Sequence, residues 1–533
     1  MAKKQRRRNG GAASPVILFH GSLMAFTRMI FPLQSLQAQT EYLHMLNPKK
    51  ATAWMTRATY GALGIGILSA FVPESFILIP TAHSLESANR MVNALFAGMI
   101  TGLAFLLTLS AQLYTPRLVG LIVRNPLIIA TMLFLFVANL TIMLQASWPQ
   151  SSPYYTNILI AASSISMLTL FISIPVLTFM TNFLRPDYFL PQIMRSSESS
   201  MQQLAKGNLQ RKHYVHVIES WDVITNIALT AIQRDDRQLI RLAMKMLDNS
   251  LHRIVTKYEA LDAPWREGFA YFAPGMTSDS SSYLRQTKTW PEAYLLLKKE
   301  QILRSTNYTQ NDVVSDSCKN VHRILAIAEE RQLSHILELN LMFMNSLMRS
   351  AISGNNIELF QLLSYHYRVN AILIRNDMQH RRKIFSSWTY YARTARKAHL
   401  NFAFETVLYD FGFVLITIAR EDENLALFIY DQNIAPFVKN AKELEPTIGK
   451  VAWRVSVKTY WEATINGCNR LAEEIMQRFL KSNQKHYEIF VEMNRFNSQL
   501  NWELGDRLMS YTYFSEEAYA QAQLFFTEKG FIS

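Results

Sequence analysis

The sequence predicts an all-α protein in which a four-helix transmembrane domain is followed by a large cytoplasmic helical domain. Residues 58–184 contain five charged side chains, whereas charged residues are frequent on either side of this segment. A helix needs roughly 20 apolar residues to cross the hydrocarbon core of a bilayer. From residue 213 onward the chain is rich in helix-forming residues and has no run of alternating apolar and polar residues that would indicate strands.

Four apolar segments are long enough to cross a membrane: 58–79, 94–115, 126–147 and 157–184. We therefore divide the chain into a basic N-terminal segment (1–57), a transmembrane domain (58–184), a polar connector (185–212) and a cytoplasmic helical domain (213–533). In the N-terminal segment, residues 15–47 alternate apolar stretches with single polar or charged residues. This pattern predicts either an amphipathic helix along the inner leaflet or a helix packed on the cytoplasmic domain.

The distribution of positive charge predicts the orientation of the four spans. The N-terminal segment carries the run KKQRRR at residues 3–8, and the loop after the second span carries Arg117 and Arg124 without an acid. The loop after the third span, SWPQSSPYYT, has no charge. Because basic loops stay on the cytoplasmic side, both termini are predicted to be cytoplasmic. Residues 1–57 carry most of the net charge of +13. Contact with anionic lipids explains such a basic segment better than binding to nucleic acid, because no nucleic-acid-binding motif is present.

Small and polar side chains follow one face of the second predicted span. At steps of three and four residues, this face holds Gly98, Thr101, Phe105, Thr108, Gln112 and Thr115. One interpretation is a helix–helix seam, within one protomer or between protomers of a homo-oligomer. The alternative is a water-filled path in an oligomeric channel or transporter. No Asp, Glu, Lys or Arg lies in the middle of a span, and such residues usually mark ion pathways, so we favour the seam. Asn139 lies midway along the third span.

The stretch at residues 99–127 resembles the signature of a bacterial family of four-span integral membrane proteins known only as a domain of unknown function. The matching positions are Leu109, Gln112, Thr115, Pro116, Arg117 and Leu118, with Thr115 where the family usually has serine. The resemblance covers about residues 55–240. It implies a multi-pass protein of the bacterial inner (cytoplasmic) membrane, in which Pro116, Arg117 and Arg124 belong to an inner loop. It implies no activity.

Three short stretches of the cytoplasmic region share one pattern. They are AIQRDDRQLIRL at 231–242, AISGNNIELFQL at 351–362 and TIAREDENLALF at 417–428. Each predicts the end of one helix, a polar turn whose Asp or Asn caps the next helix, and a leucine that faces back into the helix pair. The copies are 120 and then 66 residues apart. They predict either an irregular helical-repeat domain or ordinary helical hairpins with similar turns.

Motifs for catalysis or metal binding are lacking. The sequence contains no GxxxxGK[ST], HExxH or GxSxG motif. His213 and His216 have metal-compatible spacing without a third ligand, so we interpret them as a surface pair. Two cysteines without a CxxC motif exclude a disulfide framework and a structural zinc site. We expect no cofactor and no metal, and the sequence favours a non-enzymatic role while leaving an enzymatic activity open. The sequence favours an oligomeric membrane scaffold or sensor whose cytoplasmic domain binds a protein partner.

Overall fold

The computed structural model describes residues 82–114, 123 and 126–149, a set of positions between 151 and 182, and most of residues 185–532. In the last range the longest gap is 495–510. The described residues form helices and no β-strand, which confirms the all-α class. The N-terminal segment and the first predicted span (58–79) lie outside the described residues, as do Thr115, Pro116, Arg117 and Arg124.

The chain divides into two compact units, which we call the apolar unit and the repeat unit. The apolar unit comprises residues 1–111 and 116–184. The repeat unit comprises residues 185–533 together with residues 112–115. The division after residue 184 coincides with the end of the predicted fourth span.

Two long helices, α1 (Ala82–Leu113) and α2 (Pro126–Ser147), dominate the described part of the apolar unit. Helix α2 has the bounds of the third predicted span, whereas α1 begins twelve residues before the predicted 94–115. Polar pairs one turn apart stabilise this added segment. Arg90 donates to Glu86 at 2.7 Å, and Asn93 donates to Asn89 at 3.0 Å. Hydropathy detects the apolar part of α1 but not this polar first part.

One cluster in the core of the apolar unit combines two alanines with β-branched side chains. Val92, Ala138, Ile142 and Ala162 are fully buried, and Ile165 packs against them. Val92 comes from α1 and the next two residues come from α2. Alanine at a contact allows two helix backbones to approach closely, as is common between membrane helices.

The repeat unit contains sixteen described helices and one 3₁₀ helix. The helices are α3 (Pro186–Ala205), α4 (Arg211–Ile232), α5 (Arg237–Lys257), α6 (Ser278–Thr287), α7 (Trp290–Ser305), α8 (Asn311–Glu330), α9 (Ser334–Ser353), α10 (Ile357–Leu373), α11 (Met378–Lys397), α12 (Asn401–Ala419), α13 (Glu423–Asn433), α14 (Ala435–Lys439), α15 (Pro446–Ile465), α16 (Asn469–Arg478), α17 (Asn483–Asn494) and α18 (Glu516–Glu528). The 3₁₀ helix, Pro264–Phe272, precedes α6.

The segment 185–212, predicted as a polar connector, forms a packed helix over most of its length. Helix α3 packs against α4 and α5. Its buried residues include Phe189, Leu190, Met194 and Met201, which share one face of the helix. Serines and glutamines on the other face make the segment polar on average. The average therefore conceals an amphipathic helix.

From α8 onward, helices pair into hairpins that begin at nearly constant intervals. The hairpins are α8–α9, α10–α11, α12–α13 and α15–α16. Their first helices begin at residues 311, 357, 401 and 446, so successive hairpins are offset by 46, 44 and 45 residues. The first helices pack on one another in one layer, and the second helices pack in another. This arrangement is that of an α-solenoid. At one end α5 and α7 pack on the first hairpin, and at the other α17 and α18 pack on α15.

Five helices of the repeat unit end in the same turn. An N–H donates to the carbonyl of an alanine five residues earlier, at 2.7–3.0 Å. The five alanines are all buried: Ala231, Ala328, Ala351, Ala395 and Ala463. The residue before the donor has a positive φ, and these residues are Asp235, Gln332, Asn355, His399 and Gly467. This is the Schellman ending, which satisfies carbonyls that the helix leaves free.

The three predicted helix caps are confirmed. The backbone N–H groups of Leu239, Leu359 and Leu425 donate to the side-chain oxygens of the predicted Asp or Asn three residues earlier, at 2.9–3.0 Å. All three leucines are buried, as expected. The matched stretches nevertheless do not mark the repeat. The turn at 351–362 lies between hairpins and the turn at 417–428 lies inside one, so their spacing does not reveal the interval of about 45 residues.

Candidate functional site

Long apolar side chains cover the outer surface of α1 and α2. The exposed fraction is 66% for Leu133, 60% for Phe136, 63% for Met143 and 62% for Phe105. Leaving one such side chain in water rather than burying it costs about 1.5–3 kcal/mol. Many exposed apolar side chains of this size on two helices mark a contact with lipid or with another protein.

Two described helices are long and apolar enough to cross a membrane. They are residues 89–112, within α1, and residues 401–419, which form α12. About two thirds of α12 is buried, and this helix packs against α10 and α15 as part of the solenoid core. The corresponding part of α1 is 17% buried. The two helices therefore share a composition but differ in surroundings, and α1 is the better candidate for a membrane span.

The predicted polar face of the second span is exposed along α1. Gly98, Thr101, Thr108 and Gln112 are all exposed. A Cβ atom added at Gly98 would meet no atom within 4 Å, and the hydroxyl of Thr108 donates to the carbonyl of Ala104 at 2.9 Å. Thr115, the last member of this face, lies outside the described residues. The structure thus brings these residues onto one exposed helix face.

The main chain of Gln112 makes a contact that the spacing of polar side chains on this helix does not predict. Its carbonyl accepts a hydrogen bond from the guanidinium group of Arg234. Two residues later, the ring of Tyr114 lies edge-on to Phe189, with centroids 5.0 Å apart. No feature of the sequence indicates these contacts, because residues 112 and 234 are distant in the chain.

An asparagine pair joins α1 to α2. The Asn139 side-chain amide donates to Asn93 Oδ1 at 2.8 Å. Asn139 is conspicuous in the sequence because its neighbours are apolar, but Asn93 lies one residue before the predicted span. The hydroxyls of Thr141 and Ser166 instead donate to carbonyls one turn earlier in their own helices, at 2.8 Å. Hydroxyls satisfied in this way are compatible with a hydrocarbon environment.

The solenoid contains a partly polar cavity of about 140 Å³ between α9, α10 and α11. Its polar lining residues are Glu338, Asn345, Tyr367, Lys383, Ser386 and Ser387. Lys383 Nζ lies 2.6 Å from Glu338 Oε2 at the rim. The Tyr367 hydroxyl donates to Asn345 Oδ1, and burial raises the pKa of this hydroxyl well above its usual value. The cavity therefore offers neutral hydrogen-bonding groups and one compensated carboxylate.

A histidine bridges two carboxylates beside this cavity. His380 Nε2 lies 3.0 Å from Glu338 Oε2, and Nδ1 lies 2.7 Å from Asp377 Oδ2. Desolvation raises the pKa of Asp377, but hydrogen bonds from the backbone and ring of His380 outweigh it, so the net pKa is lowered. These contacts fix the start of α11. The second helix of one hairpin is thereby tied to the second helix of the next.

The spaced pair His213 and His216 is not a surface pair. Both side chains are half-buried, and His216 Nε2 lies 2.7 Å from the hydroxyl of Ser196 on α3. Burial lowers the pKa of His216. No cluster of three or more His, Cys, Asp or Glu side chains suited to a metal ion occurs among the described residues. His216 thus links α4 to α3.

No family model matches the chain, and no curated protein or solved structure is similar to it. The resemblance of residues 99–127 to a four-span family of unknown function stays a prediction. The functional conclusions therefore depend on the geometry of the described residues.

Proposed function

We propose that the protein is a multi-pass protein of the bacterial inner membrane that serves as an oligomeric scaffold or sensor. In this proposal four spans cross the bilayer, both termini are cytoplasmic, and the basic N-terminal segment contacts anionic lipids. The repeat unit binds a protein partner in the cytoplasm. The observation that carries the proposal is the concentration of exposed long apolar side chains on α1 and α2, whereas most such side chains described in the repeat unit are buried.

The repeat architecture supports the partner-binding half of the proposal. Stacked hairpins have a large surface for their length, and α-solenoids use such surfaces to bind other macromolecules. Tyr390 and Phe402, on α11 and α12, are more than half exposed. Aromatic side chains are enriched at protein interfaces. The solenoid fold by itself does not specify a function, so the partner is inferred from surface chemistry.

Cysteine labelling tests the topology. Cys318 and Cys468 are both buried, so an introduced surface thiol reacts against a low background. We expect the variant Ser151→Cys to react with a membrane-impermeant maleimide in intact cells, because residue 151 follows the second predicted inner-to-outer crossing. The matched control is Ser353→Cys, at an exposed position in the repeat unit. It should react only after permeabilisation. The reverse pattern would overturn the proposed orientation.

A channel or transporter is the second candidate, favoured by the exposed polar face of α1. If Gly98, Thr101, Thr108 and Gln112 form an oligomer seam, Gln112→Leu should shift the oligomer equilibrium by about 0.6 kcal/mol. Ion flux through liposomes should then equal that of empty liposomes for both proteins. If the face lines a pore, the same change should abolish flux while the oligomer persists. Flux and oligomer size measured on the same samples separate the two candidates.

A further inference from the structure

Helix α11 has an exposed basic face. The helix contains six arginines and lysines and no acidic residue. Besides Gln379, six exposed side chains lie at steps of one, three or four residues and so share one face of the helix. They are Arg382, Lys383, Ser386, Tyr390, Arg393 and Lys397, which we call the α11 stripe. At 1.5 Å per residue the stripe is about 22 Å long.

Carboxylates near the stripe are engaged elsewhere. Glu338 is shared by His380 and Lys383. Asp431, on α13, is paired with Arg478 at 3.0 Å. Among the described residues, no carboxylate lies within 4.0 Å of the charged groups of Arg382, Arg393 or Lys397. Their positive charges are therefore uncompensated within the part of the protein that the structure describes.

Aromatic rings hold two of these arginines in place. The guanidinium carbon of Arg382 lies 4.9 Å from the ring centroid of Phe428, and that of Arg393 lies 5.8 Å from that of Phe437. A ring attracts a cation without neutralising it. Fixed arginines lose less conformational entropy on binding, so the stripe is prepared for an anionic ligand.

The cavity described above opens beside the stripe. Lys383 and Ser386 belong to both, and Ser387, Tyr367 and Asn345 contribute hydrogen-bonding groups farther in. A flat array of lipid phosphates would contact the stripe but leave the cavity unused. A peptide can place carboxylates on the arginines and one side chain in the cavity. The combination of stripe and cavity favours a peptide.

We propose that the α11 stripe binds an acidic segment of a partner protein. Arg382 and Arg393 each donate paired hydrogen bonds to an Asp or Glu of that segment, Lys397 attracts a third acid, and one side chain of the segment enters the cavity. This inference rests on the proposed partner-binding function and names the chemistry of the partner.

Peptide binding to the full-length protein in neutral nanodiscs tests the proposal. The probe is a fluorescein-labelled peptide of alternating Glu and Leu. The double variant Arg382→Glu/Arg393→Glu should lose about tenfold or more in affinity. The matched control is Lys245→Glu/Arg323→Glu, which makes the same charge change at exposed positions on α5 and α8. It should retain affinity within about twofold. Equal losses in both variants would overturn the proposal, and equal melting temperatures establish that both fold.

A cavity variant and two competing ligands complete the test. Ser387→Phe should weaken binding of the Glu–Leu peptide and leave binding of an all-Glu peptide unchanged. The competing ligands are vesicles containing phosphatidylserine and a single-stranded RNA. The proposal would be overturned if either bound the wild type but not Arg382→Glu/Arg393→Glu while the peptide bound both proteins equally well. The Ser151→Cys labelling is independent of these results. If peptide binding did not depend on the stripe but residue 151 were labelled as predicted, the proposed topology would still hold. If labelling failed but peptide binding depended on the stripe, only the proposed topology would be overturned.

Discussion

The apolar unit exposes long apolar side chains along two helices, whereas the repeat unit buries most of its large apolar side chains. In the apolar unit Ala138 is fully buried while Leu133 and Phe136 are largely exposed. In the repeat unit Trp388 and Phe411 are fully buried, with ring centroids 4.6 Å apart. Burial of large apolar surfaces drives folding in water. Hydrocarbon provides no such drive between helices, and small residues allow close contact there. This difference is what the proposed membrane location of the apolar unit predicts.

The hydroxyl groups described in the two units also have different hydrogen-bond partners. In the repeat unit, Trp388 Nε1 donates to the Ser364 hydroxyl at 3.1 Å, and that hydroxyl donates to Asp410 at 2.7 Å. This network joins three helices, α10, α11 and α12. In the apolar unit, the hydroxyls named above donate within their own helices. The Asn139–Asn93 hydrogen bond joins α1 to α2, so both units contain polar contacts between helices.

The largest expected effect concerns a buried ion pair of the repeat unit. Arg266 Nη1 lies 2.6 Å from Glu292 Oε1, and each side chain is 1% exposed. Glu292→Gln removes the carboxylate charge that Arg266 Nη1 faces in the core, and breaking a buried ion pair should lower the free energy of unfolding by about 3–5 kcal/mol. Denaturant unfolding followed by tryptophan fluorescence measures the change.

An exposed pair provides the control for this prediction. Arg478 pairs with Asp431 and is 45% exposed. Arg478→Gln should cost at most about 1 kcal/mol. If Glu292→Gln lowered the free energy of unfolding no more than Arg478→Gln did, the Arg266–Glu292 pair would not lie in a core that excludes water.

Two buried histidines should respond oppositely to the same substitution. Among the described residues, neither ring nitrogen of His486 has a hydrogen-bond partner, and the ring packs against Trp461 and Phe526. His366 Nδ1 lies 3.2 Å from His322 Nε2. His486→Phe removes two unsatisfied polar atoms and should stabilise the protein by about 1–3 kcal/mol. His366→Phe removes a hydrogen bond and should destabilise it. A destabilised His486→Phe would show that its ring has an essential partner.

The same histidines make stability depend on pH. Burial lowers the pKa of His486 and of His366 to about 3. An unfolded histidine has a pKa of about 6.5, so between these values the unfolded chain binds a proton that the folded chain does not. Stability should therefore fall as the pH drops from about 6.5 towards about 3. His486→Phe should reduce that fall, which urea unfolding at about pH 7 and about pH 5 can measure. An unchanged pH dependence would contradict the assigned burial.

The smallest expected effects concern the helix caps. Asp236→Ala, Asn356→Ala and Asp422→Ala should each destabilise the repeat unit by about 1 kcal/mol, because each removes a hydrogen bond to a free helix N–H. Glu330→Ala, at an exposed site near the end of α8, should change stability by less than about 0.5 kcal/mol. Thermal unfolding compares the four variants. If none of the three cap substitutions lowered stability, the capping hydrogen bonds would not contribute to the stability of these helix turns.

Local signals account for the parts of the fold that the sequence predicts. The apolar run that forms α2 and the Asp or Asn caps are encoded within a few residues. Helix α3 escapes detection because its buried stripe is diluted by serines and glutamines. The interval of about 45 residues depends on helix length and packing, which no short motif carries.

The candidate sites depend even more on distant contacts. Gly98, Thr101, Thr108 and Gln112 can be grouped from their spacing because they lie on one helix. The α11 stripe is also visible as a basic helix in the sequence. Its significance depends on Phe428 and on a cavity wall from α9 and α10, which only the fold brings near.

Solvent accessibility of two spin labels is the most direct measurement of the difference between the units. Phe136→Cys on α2 and Tyr390→Cys on α11 place the labels at two positions whose native aromatic side chains are exposed to a similar extent. In liposomes, oxygen collects in hydrocarbon and a nickel chelate stays in water. We predict that the label at residue 136 collides mainly with oxygen and the label at residue 390 mainly with the nickel chelate. Nickel accessibility at residue 136 equal to that at residue 390 would contradict a lipid-facing apolar unit.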